Sequence, residues 1–295
     1  MNSQETQDIL KAGKIASQVK EYAKSFIKIN MPLLEIAEKI ENKIAELGGK
    51  AAFPTNLSIN EITAHYTPSH NDENKAHGLL KVDLGVQING WLADTAFSLD
   101  LENNTENKRL IEASEKALKN AIQKIKIGIS LGEIGKTIQA IIEGGGFSPI
   151  INLSGHEMKE YELHAGLTIP NINNKVSEEI TEGLYAIEPF ATNGSGKVVE
   201  GKPSGIYLLQ DDKSVRNPEA RKILNFIIEE YKTLPFCSRW IIKKFGIKSL
   251  FSLRQLEENG NLHQYPQLIE VSHSRVSQAE NTVLLVDDKV IVTTE

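Results

Sequence analysis

A faint internal repeat constrains the fold of this chain more than any other feature. The segment Leu-Leu-Glu-Ile at residue 33 recurs 98 residues later as Leu-Gly-Glu-Ile at residue 131. Each copy ends near consecutive glycines and is followed by Asn-Leu-Ser, at 56–58 and at 152–154. Longer segments with helical apolar spacing, roughly 4–29 and 105–126, precede the copies. This pattern predicts an α+β domain with pseudo-twofold symmetry, in which helices cover a mixed sheet.

The pattern changes between residues 203 and 266. Strand-like segments fall at residues 53–69, 79–100, 147–171, 184–200 and 268–294, whereas the region between the last two carries helical spacing. We therefore predict a main domain made of residues 1–202 and 267–295. An inserted helical subdomain, residues 203–266, interrupts it.

Composition excludes several classes of protein. The chain has 295 residues with 40% apolar and 24% charged residues, which is globular, and its net charge of −6 argues against nucleic acid as the main partner. No apolar run reaches membrane-spanning length and the polar start is not a signal peptide, so we expect no membrane partner. Cys237 is the only cysteine, which excludes intramolecular disulfides. The expected location is the cytoplasm.

Four carboxylates and one imidazole stand in short motifs of their own: Asp83 in Lys-Val-Asp-Leu-Gly-Val, Asp94 in Trp-Leu-Ala-Asp-Thr-Ala, His156 in Leu-Ser-Gly-His-Glu, Glu188 in Tyr-Ala-Ile-Glu-Pro-Phe and Glu280 in Gln-Ala-Glu-Asn-Thr-Val. Most of the acids lie beside strand-like apolar residues, where an unpaired carboxylate is costly to bury. Oxygen-rich ligation with a single imidazole suits two hard or borderline divalent cations.

Asp83 and Asp94 lie on either side of the hairpin signal Gln-Ile-Asn-Gly at 87–90. A turn centred on residues 88 and 89 places the two aspartates directly opposite. A turn centred on residues 89 and 90 makes them diagonal neighbours on one face, and either register brings them within reach of a common centre. Taken singly, the other three residues have plainer interpretations: a structural histidine for His156, a buried ion pair for Glu188 and an edge residue for Glu280.

The chain resembles the methionine aminopeptidases, in particular the type II form found in archaea. The matching motifs are Phe-Pro-Thr at 53–55, His-Tyr-Thr-Pro at 65–68, the aspartate hairpin, Leu-His-Ala-Gly at 163–166 and Ala-Ile-Glu-Pro-Phe-Ala-Thr-Asn-Gly at 186–194. The resemblance covers nearly the whole chain and implies the "pita-bread" fold. The insertion at 203–266 is similar to the helical subdomain that distinguishes type II from type I.

The resemblance also implies roles for individual residues. Asp94 is expected to bind one metal ion, and Asp83 and Glu280 to bridge the two ions. His156 and Glu188 are expected to complete the ligand shell of the second ion. The two ions are expected to be Co, Mn, Fe or Zn, and the sequence does not distinguish among these four metals. Two histidines outside that shell, His65 and His164, are expected to be catalytic, with Glu188 as general base. The methionine side-chain pocket is expected to be lined by Phe53, Leu163, Phe190 and Tyr265, with the two histidines flanking the substrate.

The activity implied is hydrolysis of the first peptide bond of nascent proteins, releasing methionine when the second residue is small. We expect a monomer, with the ribosome as a candidate partner. Glu157 and Asn281 depart from the family pattern beside ligand positions, which bears on metal preference, because groups around the ligands orient them.

Two alternatives remain open at this point. An Xaa-Pro aminopeptidase or prolidase shares the fold and the ligand types, but the segment from Phe53 to His65 and the insertion favour methionine. A non-catalytic binding protein on the same fold is the second alternative. Such a protein is expected to lose metal ligands, and all five are present in this sequence.

Overall fold

The computed structural model describes residues 1–295, with seven helices and sixteen strands. The helices are α1 (Ser3–Phe26), α2 (Leu33–Glu46), α3 (Thr105–Lys124), α4 (Leu131–Gly144), α5 (Pro218–Glu230), α6 (Ser238–Phe245) and α7 (Ser249–Glu258). The strands are β1 (Lys50–Ala51), β2 (Asn56–Ile59), β3 (Ile62–Ala64), β4 (Leu79–Ile88), β5 (Trp91–Asp100), β6 (Ser148–Pro149), β7 (Ser154–Met158), β8 (Thr168–Pro170), β9 (Gly183–Ile187), β10 (Phe190–Thr192), β11 (Val198–Leu209), β12 (Phe236–Cys237), β13 (Leu262–Glu270), β14 (Val276–Gln278), β15 (Asn281–Val286) and β16 (Lys289–Val292).

The repeat predicted from the sequence is confirmed by the second helix of each half. Helices α2 and α4 both contain 14 residues, and their first and last residues are each 98 positions apart. Helix α4 begins after Ser130, whose hydroxyl accepts a hydrogen bond from the backbone of Glu133 at 3.3 Å, while α2 follows Pro32. Helix α1 ends at Phe26, earlier than expected, because the backbone of Ile27 is extended.

Each half has its own hydrophobic core of almost equal size. Twenty buried residues from α1, α2, β2, β4, β5 and their flanking turns form the first core, and nineteen buried residues, mainly from α3, α4, β8, β9 and β15, form the second. Both cores lie between a pair of helices and the face of an antiparallel sheet. The fold is therefore α+β with pseudo-twofold symmetry, as the sequence predicts, but the expectation of a mixed sheet is wrong, because all the strand pairs are antiparallel.

Strands β5 and β15 join the two halves at the centre of the molecule. Ala96 in β5 forms a backbone bridge with Glu280, which immediately precedes β15. The backbone N–H of Asp94 donates to the hydroxyl of Thr282 at 2.7 Å, and that hydroxyl donates back to the carbonyl oxygen of Asp94 at 2.8 Å. Because polar side chains from both halves meet at this seam, it is where a shared site can form.

The region between residues 203 and 266 contains α5, α6 and α7 around a core of eleven buried residues. Strands β11 and β13, at the two ends of this region, pair with each other, with register shifts beside Pro203. Both strands continue across residues 203 and 266, so the secondary structure has no break at the boundaries that the sequence suggests. The division of the chain at these residues stays a prediction. No helix of the structure is both long and apolar enough to cross a bilayer.

Candidate active site

The aspartate hairpin adopts the second of the two predicted registers. Asn89 and Gly90 have φ values of 51° and 91°, which is the left-handed conformation that a two-residue turn of this kind requires. Asp94 then lies opposite Gly85, and Asp83 lies opposite Ala96. The two aspartates are diagonal neighbours on the same face of the β4–β5 ribbon.

The other three residues come from the second half and from the seam. His156 in β7 pairs with Ala186 in β9, Glu188 follows β9 directly, and Glu280 immediately precedes β15. Gly155 is required beside His156, because a Cβ atom there would lie 2.3 Å from the carbonyl oxygen of Ala186. This agrees with the close backbone approach expected from the sequence.

The structure brings the five residues together. Ligand atoms of Asp94, His156 and Glu280 all lie within 4.8 Å of one another. The Nε2 of His156 is 3.7 Å from Asp94 Oδ2 and 3.7 Å from Glu188 Oε1. Asp83 completes the group through the amide of Gln278, whose Nε2 is 3.5 Å from Asp83 Oδ2 and 3.5 Å from Glu188 Oε2.

The pKa values of the cluster are shifted mainly by burial. Burial raises the pKa of Asp83 to about 7. Burial, followed by the charges of neighbouring acids in the cluster, raises the pKa values of Asp94, Glu188 and Glu280 well above their ordinary range. Burial, with His164 nearby, lowers the pKa of His156 to about 3, so this imidazole is neutral and can act as a ligand.

Several buried atoms of the cluster have no hydrogen-bond partner in the protein: Asp83 Oδ1, Asp94 Oδ1, His156 Nδ1 and Glu280 Oε2. Unpartnered buried carboxylate oxygens are costly unless a cation binds them. Four carboxylates and one neutral imidazole are also the donor set that suits hard or borderline divalent ions. On both counts the residues fit a divalent metal centre.

The cluster opens into a cavity of about 350 Å³. The residues that the resemblance assigns to substrate binding all line it: Phe53, His65, Leu163, His164, Phe190 and Tyr265. Phe53 packs over Gly85, where a Cβ atom would lie 2.3 Å from the ring. The cavity therefore has an apolar part beside the carboxylates, as a site for a methionine side chain requires.

Two histidines stand outside the carboxylate cluster. His65 has a left-handed backbone (φ 62°), and its Nδ1 donates to the carbonyl oxygen of Pro266 at 3.2 Å. The ring of His164 meets the ring of His156 edge to face, with centroids 4.5 Å apart. Burial lowers the pKa of His65 to about 4 and lowers the pKa of His164. Both rings are therefore neutral at pH 7. His164 can donate one hydrogen bond without carrying a charge, whereas the single N–H of His65 is directed at Pro266 and leaves its Nε2 as an acceptor.

Sequence reasoning missed Gln278, which lies between two of the carboxylates. The signal was available, because Gln278 is two residues before Glu280 and a strand places alternate residues on one face. It also missed the partner of Asn281: the ammonium of Lys20, in α1, donates to Asn281 Oδ1 at 3.0 Å and to the carbonyl oxygen of Thr294 at 2.7 Å. Glu157, the other residue that departs from the family pattern, forms an ion pair with Lys159 at 3.3 Å.

Comparisons with known proteins agree with this geometry. The profile of Metallopeptidase family M24 matches residues 7–220. The methionine aminopeptidase of Methanocaldococcus jannaschii is 46% identical over 290 residues, which cover 97% of this chain and 97% of that protein. The methionine aminopeptidase of Pyrococcus horikoshii is 46% identical over 294 residues, covering 97% and 98%.

Solved structures show the same fold. The structure of a thermophilic Arx1 superposes with a TM-score of 0.84 at 15% identity, covering 99% of this chain and 91% of that one. The methionine aminopeptidase from Thermotoga maritima superposes with a TM-score of 0.71 at 21% identity, covering 100% and 98%. At these identities the likeness concerns the fold alone, and it confirms the pita-bread architecture.

Proposed function

Because this chain belongs to metallopeptidase family M24, we propose that it removes the amino-terminal methionine from proteins whose second residue is small. The observation that carries this proposal is the cluster of four buried or partly buried carboxylates and one imidazole at the edge of an apolar cavity. The relatives of 46% identity, matched over almost their full length, are methionine aminopeptidases. They favour this activity over that of an Xaa-Pro peptidase.

The residues that would hold two divalent ions are Asp83, Asp94, His156, Glu188 and Glu280. Divalent ions bound there supply a water molecule of lowered pKa at neutral pH and a binding site for the free α-amino group of the substrate. The Nε2 of Gln278 lies 3.5 Å from a carboxylate oxygen of Asp83 and 3.5 Å from one of Glu188, and its amide orients both carboxylates.

Three side chains of the protein act on the substrate in this proposal. Glu188 accepts a proton from the attacking water and passes it to the leaving amine, because its carboxylate faces both the cluster and the cavity. His164 donates a hydrogen bond to the oxygen that becomes negative at the methionine carbonyl. His65 contacts the scissile amide.

The methionine side chain is enclosed by four further residues: Phe53, Leu163, Phe190 and Tyr265. Steric limits at the cavity mouth would exclude a large second residue.

The test is peptidase activity of chelator-stripped protein with Mn or Co added back. Met-Ala-Ser and Ala-Pro-Ser are assayed side by side, with Met-Leu-Ser as a control for the second residue. We expect metal-dependent release of methionine from Met-Ala-Ser alone. Cleavage of only Ala-Pro-Ser would assign the protein to the Xaa-Pro peptidases. No cleavage by metal-loaded protein would favour a non-catalytic binding protein.

The natural substrates are proposed to be nascent chains in the cytoplasm, met by a monomer at the ribosome. A monomer suffices because all the site residues belong to one chain. Support for the ribosome comes from basic and apolar residues of the insertion: Lys243, Lys244 and Lys248 are exposed, and Phe251, three residues after Lys248, is 80% exposed. Cosedimentation with ribosomes should weaken in Lys248→Glu and in high salt. Unchanged cosedimentation would exclude a role for these residues.

A further inference from the structure

Glu41, in α2, receives four hydrogen bonds although it lies outside the cavity. Arg239 in α6 donates to both of its carboxylate oxygens at 2.8 Å each, and the indole N–H of Trp240 donates at 2.8 Å. The backbone N–H of Thr55 donates at 3.3 Å. Arg239 is only 5% exposed. A buried bidentate pair of this kind is specific in geometry, and removal of one partner leaves the other charge unpaired.

The ion pair holds both ends of one segment, residues 54–68. One end is held by the bond from Thr55 to Glu41, and the other by the Nε of Arg239, which donates to the carbonyl oxygen of Pro68 at 3.1 Å. The hydroxyl of Thr67 donates to the carbonyl oxygen of Thr55 at 2.9 Å and closes the segment on itself. Glu41 and Arg239 therefore clamp the segment at its base.

The clamped segment carries part of the active site. His65 lies within it and Phe53 directly precedes it, and both line the cavity. The left-handed backbone of His65 is a conformation that persists only where the surroundings hold it in place.

The same arginine belongs to the opposite wall. Pro235 lines the cavity a few residues before Arg239, and between them strand β12 pairs with β11 at Ile206, which also lines the cavity. The Glu41–Arg239 pair thus joins the wall formed by the insertion to the segment that carries His65.

We propose that Glu41 and Arg239 are positioning residues, whose buried ion pair sets the place of His65 and the width of the methionine pocket without touching substrate. The proposal rests on the proposed function for its kinetic consequence. A displacement of about 1 Å at a catalytic group can cost ~10²-fold in rate, so a clamp of this kind affects turnover from a distance.

The test uses Arg239→Lys in the full-length metal-loaded protein, with Glu41→Gln as a second variant that preserves shape if the first fails to fold. We expect both to bind metal normally. Their kcat/KM on Met-Ala-Ser should fall by ~10–100-fold, and their preference for Met-Ala-Ser over Leu-Ala-Ser should decrease. The backbone amides of residues 54–68 should exchange hydrogen faster. A merely structural role would lower the melting temperature and leave kcat/KM and the Met/Leu preference of the folded variants unchanged.

The matched control is the exposed ion pair between Lys50 and Glu230, at 2.8 Å, which also joins the main domain to the insertion but does not touch residues 54–68. Lys50→Met should leave kinetics and exchange unchanged. Folded clamp variants with wild-type kinetics and wild-type exchange would overturn the proposal. If the wild-type protein releases no methionine, the proposed function fails. Hydrogen exchange then still tests the clamp, because unchanged exchange in the variants would overturn it independently of activity.

Discussion

Glu188 is the carboxylate whose chemistry goes beyond holding a metal. Its pKa is raised by burial, and it faces both the cluster and the cavity. Replacement by glutamine keeps the shape but removes the capacity to accept a proton, so we expect kcat on Met-Ala-Ser to fall by ~10²–10⁴-fold and metal binding at one site to weaken. Glu160→Gln, on an exposed residue, is the control. Full activity of Glu188→Gln would exclude the assigned role.

His164 tests the distinction between a ligand and a hydrogen-bond donor. Its ring contacts His156, but it is not one of the residues proposed to bind metal. We expect His164→Ala to lose ~10²–10³-fold in kcat, the usual loss for one oxyanion donor, with the metal content unchanged. Metal content per chain, measured by mass spectrometry beside kcat, checks this. Loss of metal would show that His164 is a ligand.

At the residue scale the sequence was informative because charge is costly to bury. Most of the four acids stand beside strand-like apolar residues, where a carboxylate needs a partner. Gln278 gave no such signal, since an amide is tolerated in many environments. The Glu41–Arg239 pair was also missed, because two residues 198 positions apart are joined only by the fold.

Among the secondary-structure elements, strand β4 offers a direct test of the pocket. Gly85→Ala would place a Cβ atom 2.3 Å from the ring of Phe53, so the ring must move. We expect a destabilisation of ~1–3 kcal/mol and a higher KM for Met-Ala-Ser, measured by thermal unfolding and initial rates. Gly144→Ala is the matched control, because nothing lies within 4 Å of a Cβ atom there. An unchanged KM in Gly85→Ala would show that Phe53 does not bind the substrate.

The helices and the hairpin were predictable because local signals specify them. Periodic apolar residues located α2 and α4, and Asn-Gly located the turn between β4 and β5. The long strands β11 and β13 were not predicted in full. Gly201, Pro203, Gly205 and Pro266 interrupt their pattern, and register shifts accommodate these residues in the paired strands. Such pairing is a tertiary property that single-strand periodicity does not report.

For the molecule as a whole, the carboxylate cluster makes stability depend on pH and metal together. An acid with a raised pKa binds its proton more tightly in the folded chain, so its contribution is complete below the unfolded value. For Asp83 that contribution is lost as pH rises from 3.8 to about 7. The other three acids of the cluster act in the same direction, because their pKa values are also raised well above their ordinary range.

We therefore expect added Mn to raise the melting temperature more at pH 7 than at pH 5. Metal binding displaces the protons that these acids bind at low pH, so the stabilisation by metal grows as those protons are lost. The lowered pKa of His65, about 4, makes stability rise with pH over the same range, but it does so with and without metal. Scanning calorimetry with and without chelator at both pH values measures the difference, and an equal rise in melting temperature at the two pH values would contradict the expectation.

The bond between Asp94 and Thr282 joins residues 188 positions apart. Asp94 therefore meets Thr282 only after synthesis of the chain has passed residue 282. A copy whose synthesis has stopped before Glu280 can fold the aspartate hairpin, but it cannot complete the centre. If the substrates are chains still in production, each molecule can begin that work only after its own Glu280 has been synthesised.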